Sequence, residues 1–228
     1  MKILAIDTAT EVCSVAVLED KNVILEKTLD AVNTHSVALL PLLEEVLSEC
    51  NLNLNDIDLF ACDSGPGSFT GIRIGLSTIK AFCDVTNKPC VGVTSLEGFA
   101  YKLFNTPCDN YYICSLLDAN HGNAYCGIFK FDEGKLVQTH DYFFDTIDNI
   151  LDYINSLEKN IFFVGNCSIL FEDMIKSNCT KNYKIDTNIN ICATDIGRAA
   201  FDKFNSGTYG DSDFLKPIYL KKSSAERN

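Results

Sequence analysis

Apolar positions along the chain fall into short runs separated by polar turns, and the order in which their period changes occurs twice. Lys2–Asp7 is an apolar run closed by an acid, Cys13–Leu18 is a second run, and Val23–Leu29 alternates apolar and polar residues. Runs of this length, rich in β-branched residues and split by polar turns, predict a three-stranded meander. From Thr34 to Cys50 the period becomes helical, and Ile57–Cys62 reads as a buried strand. A glycine-rich turn then leads into a helix over Ile72–Asp84, followed by a strand over Pro89–Val93 and a helix over Leu96–Leu103. The second half runs through the same order. Strands are predicted over Tyr111–Asp118, Tyr125–Phe131 and Leu136–Phe144, then a helix over Thr146–Leu157, a strand over Ile161–Val164 and a helix over Ile169–Ser177.

Two such units imply two similar α/β domains, residues 1–106 and 107–228, facing across a cleft, with the last segment of the second packing back on the first. A meander that feeds crossover helices gives a mixed sheet covered by helices. This order resembles the actin-like (ASKHA) plan of two tandem RNase H-like βββαβα domains. Asp7 and Asp118 end the first strand of each half. In that plan such acids point toward a metal–nucleotide; the plainer reading is that each ends a strand where Asp starts a turn.

Charge narrows the function. With 31 acids against 19 bases the net charge of the 228 residues is −12, which excludes a protein whose own surface neutralises phosphates. Work on nucleic acid would have to go through a basic partner. The eleven cysteines are odd in number, and no two are spaced C-x-x-C. They read as buried structural thiols rather than a disulfide or metal framework. No apolar stretch approaches ~18 residues, and the start is too short in apolar character for a signal peptide. A soluble, reduced, cytoplasmic chain with no membrane partner is expected.

The most informative stretch is Gly65-Pro66-Gly67-Ser68-Phe69-Thr70-Gly71-Ile72-Arg73. Its G-x-G-x-x-x-G spacing is neither the dinucleotide fingerprint nor the P-loop. Ser68 or Thr70 can cap the helix that follows. Free N–H groups with Arg73 in the first turn could hold an anion, whereas a tight strand–helix joint needs only glycine. Gly71, Gly75 and Thr78 put small residues on one face, which lets another helix or backbone approach closely. The preceding helix is apolar around most of its circumference. Val37, Leu40, Leu43 and Leu47 can fill one stripe, leaving Leu39, Leu42 and Val46 for a second surface that reads as a dock for another chain. Pro41 predicts a kink or a late start.

With these residues, and with Ile3–Thr10, His35-Ser36, Leu39-Leu40-Pro41, Lys88-Pro89, Thr94-Ser95-Leu96-Glu97 and Pro217-Ile218-Tyr219-Leu220, the chain resembles the bacterial TsaB (YeaZ-like) family. The resemblance implies a non-catalytic partner subunit, not an enzyme. It would be required for N6-threonylcarbamoylation of the adenosine next to the anticodon in tRNAs reading ANN codons. It would dock and activate the catalytic TsaD paralogue, with the TsaE ATPase completing the assembly and tRNA met only through the complex. A homodimer is implied when the partner is absent. The implied interface is His35, Leu39, Leu42, Val46, Phe69, Gly71, Arg73, Gly75 and Thr78. No cofactor is expected on this chain alone, with ATP or ADP at the subunit interface of the complex; the candidate nucleotide residues are Asp7, Asp118 and Gly165.

The catalytic relative holds its metal through two histidines at i, i+4. These positions match Ser95 and Phe99, which cannot ligate, so no metal is expected. The chain departs from the family pattern at Asn120-His121-Gly122-Asn123, where Asp-Ala-Arg and an acid are usual, and at Lys221, where arginine is usual. A second function reading is an actin-fold ATPase or phosphotransferase using Asp7 and Asp118. A protease is disfavoured by the missing histidine pair.

Overall fold

The computed structural model describes residues 1–30 and 35–220; Thr34, at the predicted start of the first helix, and Lys221 lie outside them. The chain divides into two compact units, Met1–Tyr101 with Asn190–Ile218, and Lys102–Ile189 with Tyr219 and Leu220. The change of unit therefore falls at Tyr101 rather than after residue 106, and the segment 190–218 belongs to the first unit.

In the first unit, β1 (Lys2–Asp7), β2 (Val12–Glu19) and β3 (Asn22–Asp30) form the meander, followed by α1 (His35–Glu49), β4 (Leu59–Asp63), α2 (Phe69–Thr86), β5 (Cys90–Val93) and α3 (Ser95–Tyr101). The strand order is β3-β2-β1-β4-β5. β1 pairs antiparallel with β2 and parallel with β4, so Ala5 lies opposite both Ala16 and Ala61. The alternation of β1 serves both faces, as a strand period of two requires. Leu4 and Ile6 join the core formed with α1 and α2, while Ile3 and Ala5 are buried on the other side.

The second unit repeats the topology. It contains β6 (Tyr111–Asp118), β7 (Asn123–Asp132), β8 (Lys135–Thr146), α4 (Ile147–Asn155), β9 (Asn160–Val164), α5 (Asn166–Leu170), α6 (Glu172–Asn178) and β10 (Tyr183–Ile185). Its sheet order, β10-β9-β6-β7-β8, matches the first with β10 in the place of β5. Its core joins the sheet to α4 through Ile147, Ile150, Leu151 and Ile154. Both units are mixed five-stranded sheets covered by helices, the actin-like α/β fold that the element order predicts.

The structure departs from the predicted elements in several places, among them β10, which lies where no strand was predicted. α2 begins at Phe69, three residues early, because Ser68 caps it by accepting a hydrogen bond from Gly71 N–H. The predicted helix over Ile169–Ser177 is two short helices that meet at Phe171. A seventh helix, α7 (Ala193–Asn205), lies where no element was predicted. It covers the second face of the first sheet: Gly197 sits against Leu18 and Ala5, Ala193 N–H donates to Ser14 Oγ, and Lys21 pairs with Asp202. Its apolar stripe is made of Ala193, Ile196, Ala199 and Ala200, set at helical spacing in a segment too polar overall to stand out as an apolar run. Among the described residues no helix is long and apolar enough to cross a membrane. All eleven cysteines are free thiols, and eight of them are buried.

Candidate functional site

The glycine-rich turn of the first unit is a packing device between its own elements. Ser68 N–H donates to the Ala9 carbonyl, and Thr8 Oγ1 donates to the Gly71 carbonyl at 2.7 Å. A Cβ on Gly71 would stand 1.8 Å from the Thr8 carbonyl oxygen, and one on Gly75 2.7 Å from Thr8 Oγ1. The small-residue strip of α2 therefore receives the turn after β1. This corrects the expectation that Gly71 and Gly75 belong to the docking surface: Gly71 is buried against the Thr8 backbone and Gly75 against the side chains of Thr8 and Ile6.

Beneath that turn lies a pair of acids. Asp7 ends β1 and Asp63 ends the adjacent parallel β4, both essentially inaccessible to solvent. Asp7 Oδ1 accepts from Ala9 N–H at 2.8 Å and its Oδ2 from Thr10 Oγ1 at 2.9 Å. Asp63 Oδ1 accepts from Gly65 N–H at 2.7 Å and lies 2.8 Å from the Ser95 hydroxyl, which also reaches the Pro66 carbonyl. Asp63 Oδ2 is buried with no hydrogen-bond donor, and the Asp7 carboxyl lies near enough to act on the ionisation of Asp63. Burial raises the Asp7 pKa to about 6. Burial, and then the Asp7 charge, raises that of Asp63 well above the carboxylate range. Two carboxyls in such a place stay together by holding a proton between them. Asp63 was not among the candidate residues, although its place at a strand end just before the glycine turn repeats that of Asp7. Asp7 turns no oxygen to solvent, which speaks against its use as a metal–nucleotide ligand.

Helix α1 does not keep the two predicted stripes apart. Leu39, Leu42, Leu43 and Val46 are buried in the core of the first unit, whereas Val37 is 75% and Leu40 57% exposed. Leu39, Leu42 and Val46 are thus corrected from interface to core residues. His35 is buried too, with its pKa lowered by desolvation. The signal that could have oriented the helix is Glu44. It stands one turn from Leu40 and two from Val37, and so marks their stripe as the one facing water.

What remains of the predicted interface is the start of α2. Phe69 is 55% exposed, and the Arg73 guanidinium carbon lies 3.9 Å from its ring centroid, a stacked cation–π arrangement. Thr78 is half-buried and donates to the Ile74 carbonyl.

The positions that would carry a histidine pair hold Ser95, tied into the Asp63 cluster, and the buried core residue Phe99. Neither fits a metal. Among the described residues no cluster of three or more His, Cys, Asp or Glu side chains could hold a metal ion.

In the second unit, Asp118 and Gly165 are brought together at the ends of β6 and β9. Asp118 N–H donates to Asn166 Oδ1 at 3.0 Å, and Asp118 Oδ1 accepts from Asn120 N–H. Gly165 has φ +99°, and a Cβ there would stand 2.2 Å from the Leu116 carbonyl oxygen. Asp118 thus starts the turn that the plainer reading expected of it, and Gly165 makes a tight joint against the Leu116 backbone. Asn120, His121 and Gly122 are all left-handed and form the β6–β7 turn, closed by Asn123 Nδ2 donating to the Asn120 and His121 carbonyls.

Comparison with known proteins agrees with this architecture. The family model described as "TsaD: tRNA N6-adenosine threonylcarbamoyltransferase" matches residues 28–227. The tRNA threonylcarbamoyladenosine biosynthesis protein TsaB of Bacillus subtilis is 29% identical over 176 residues, 77% of this chain and 76% of that protein. The TsaB protein of Escherichia coli is 35% identical over 136 residues, 60% of this chain and 58% of that protein. In fold, YeaZ from Pseudomonas aeruginosa superposes with a TM-score of 0.81 over 96% of this chain and 99% of its own, at 21% identity. A family model that spans most of the residues, matched by TsaB proteins of two bacteria, establishes that the chain belongs to the threonylcarbamoyltransferase family, on its TsaB (YeaZ-like) branch.

Proposed function

We propose that this chain is a non-catalytic subunit of the apparatus that makes threonylcarbamoyladenosine in tRNA, and that it docks a TsaD-type partner through the outer face of α1 and the first turn of α2. The observation that carries the reading is the exposure of Val37, Leu40 and the Phe69–Arg73 stack on elements held rigid by the Thr8–Gly71 junction. Aromatic and arginine anchors on an ordered scaffold are what interface hot spots are made of. Ser95 and Phe99, where the catalytic relative has metal ligands, support the absence of chemistry on this subunit. The net charge of −12 fits a subunit that leaves tRNA contact to its partners.

The proposal extends to modification of the adenosine beside the anticodon in tRNAs reading ANN codons, to a TsaE-type ATPase in the assembly, and to ATP or ADP at the subunit junction. It also includes self-association through the same face when the partner is absent. The test is depletion of the protein, followed by mass spectrometry of tRNA nucleosides. Threonylcarbamoyladenosine is expected to fall and to return with the wild-type chain. A Leu40→Asp/Phe69→Asp variant with an unchanged melting temperature should fail to restore it and fail to co-elute with the partner. A normal nucleoside level after depletion overturns the function, and co-elution of the folded variant overturns the dock.

A further inference from the structure

The second unit carries an open groove of about 900 Å³ between β8 and α4, on residues that the docking reading does not use. Its lining includes His140, Asp141, Phe143 and Asp145 from the β8 side, with Asn149 and Tyr153 from α4. The aromatic wall is ordered edge to face. The His140 and Tyr153 ring centroids are 5.7 Å apart at 88°, and those of Phe143 and Tyr153 5.3 Å apart at 75°. Behind them Tyr112 meets His140 at 6.2 Å and 89°. Tyr153 is 39% exposed, so part of this ring system is open to a ligand.

The backbone of β8 is irregular at this wall. Phe143 pairs with Cys126, His140 with Ile128, and Gln138 with Phe129. Three steps along β8 thus match two along β7, and the next two match one, which places two bulges side by side. In a regular strand successive residues face opposite sides, yet His140 and Asp141 both line the groove. Re-aiming consecutive side chains is what a bulge achieves. On α4, Asn149 and Tyr153 share a face at i, i+4.

The electrostatics have one sign. No Lys or Arg lines the groove. Asp145 uses Oδ1 for the Thr146 N–H and for Asn149 Nδ2, both at 2.7 Å. Among the described residues neither Asp145 nor Asp141 forms an ion pair.

We propose that this groove binds a small organic cation, an alkylammonium or guanidinium group on a short apolar stem. The aromatic rings would receive the cation and its stem, and Asp141 and Asp145 would supply the counter-charge. The volume suits a small molecule. The inference uses only the second unit and stands apart from the docking proposal.

The test is calorimetric titration of the full chain with spermidine, and with hexylamine against hexanol, at a salt concentration of about 0.15 M. Spermidine and hexylamine should saturate one site, and hexanol should not. Asp145→Asn and Tyr153→Leu, each with an unchanged melting temperature, should weaken spermidine binding by about fivefold or more. Asp84→Asn, an exposed acid on α2 in the other unit, should leave it unchanged. Failure to saturate by about 10 mM, or equal weakening by Asp84→Asn and Asp145→Asn, overturns the proposal; the second result would mean diffuse attraction to an acidic protein.

Discussion

Replacing Asp7 by asparagine isolates the charge that the buried acid pair cannot accommodate. In the folded chain, burial moves the Asp7 pKa from 3.8 to about 6, so the group keeps its proton to a higher pH than in the unfolded chain. Stability from this source is fully present below pH 3.8 and is lost as the pH rises through 6. Asp63, raised in the same direction, extends the loss to higher pH. At 1.36 kcal/mol per pH unit, the Asp7 shift corresponds to ~3 kcal/mol. Asparagine keeps an oxygen for the Ala9 N–H and carries no ionisable proton. Asp7→Asn should therefore match the wild type near pH 4 and exceed its stability by up to ~3 kcal/mol at pH 8. Acid-labile carboxylates elsewhere cancel in the difference. The assay is urea unfolding from pH 4 to 8, followed by circular dichroism because the chain has no tryptophan. A difference that does not vary with pH, or a wild type more stable than the variant at pH 8, would show that Asp7 is charged and held by its donors, and the reasoning would fail.

Other predictions follow from the corrected faces and the tight junction. Leu39→Ala should lower stability by about 2–5 kcal/mol, whereas Leu40→Asp, one residue on, should change it by about 0.5 kcal/mol or less; thermal unfolding of the two variants checks which stripe of α1 is core. Gly71→Ala should destabilise by about 3 kcal/mol or more, because a Cβ there would stand 1.8 Å from the Thr8 carbonyl oxygen; Ser77→Ala, at an exposed site on the same helix, should be nearly neutral. Iodoacetamide on the native chain should modify the half-buried Cys50, Cys179 and Cys192 first. Cys62 and Cys114, whose thiols burial pushes far upward, should react only on unfolding, as peptide mass spectrometry would report.

Much of the fold was legible because its strands are short apolar runs whose ends are marked. Asp7 and Asp118 close the first strand of each unit, and the elements recur in one order, so two similar sheets could be read from periodicity alone. α7 was not legible. Its buried stripe is alanine and one isoleucine around Gly197, a pattern that serves close approach to Ala5 and Leu18 and keeps a helical spacing within a segment too polar overall to read as an apolar run. The break at Phe171 was hidden for the opposite reason: apolar residues continue through it, and nothing in the local composition marks where α5 stops and α6 begins.

The candidate docking face shows where pattern reading reaches its limit. On a helix as apolar as α1, two stripes satisfy the same periodicity, and only the neighbours decide which one meets the sheet. Here α2 brings Ile72, Leu76 and Ile79 to the same face of the sheet, and the stripe of Leu39, Leu42 and Val46 closes against that core. The glycine strip of α2 was ambiguous in the same way, because a strip of small residues says that backbone comes close without saying whose. The structure answers with Thr8. The Gly-Pro-Gly motif and the buried acid pair are therefore one internal joint, and the surface left for another molecule is smaller than the sequence implied: Val37, Leu40 and the Phe69–Arg73 stack. That reduction sharpens the docking proposal, since a partner must recognise a few exposed anchors on a scaffold whose glycines and acids are already occupied in holding it together.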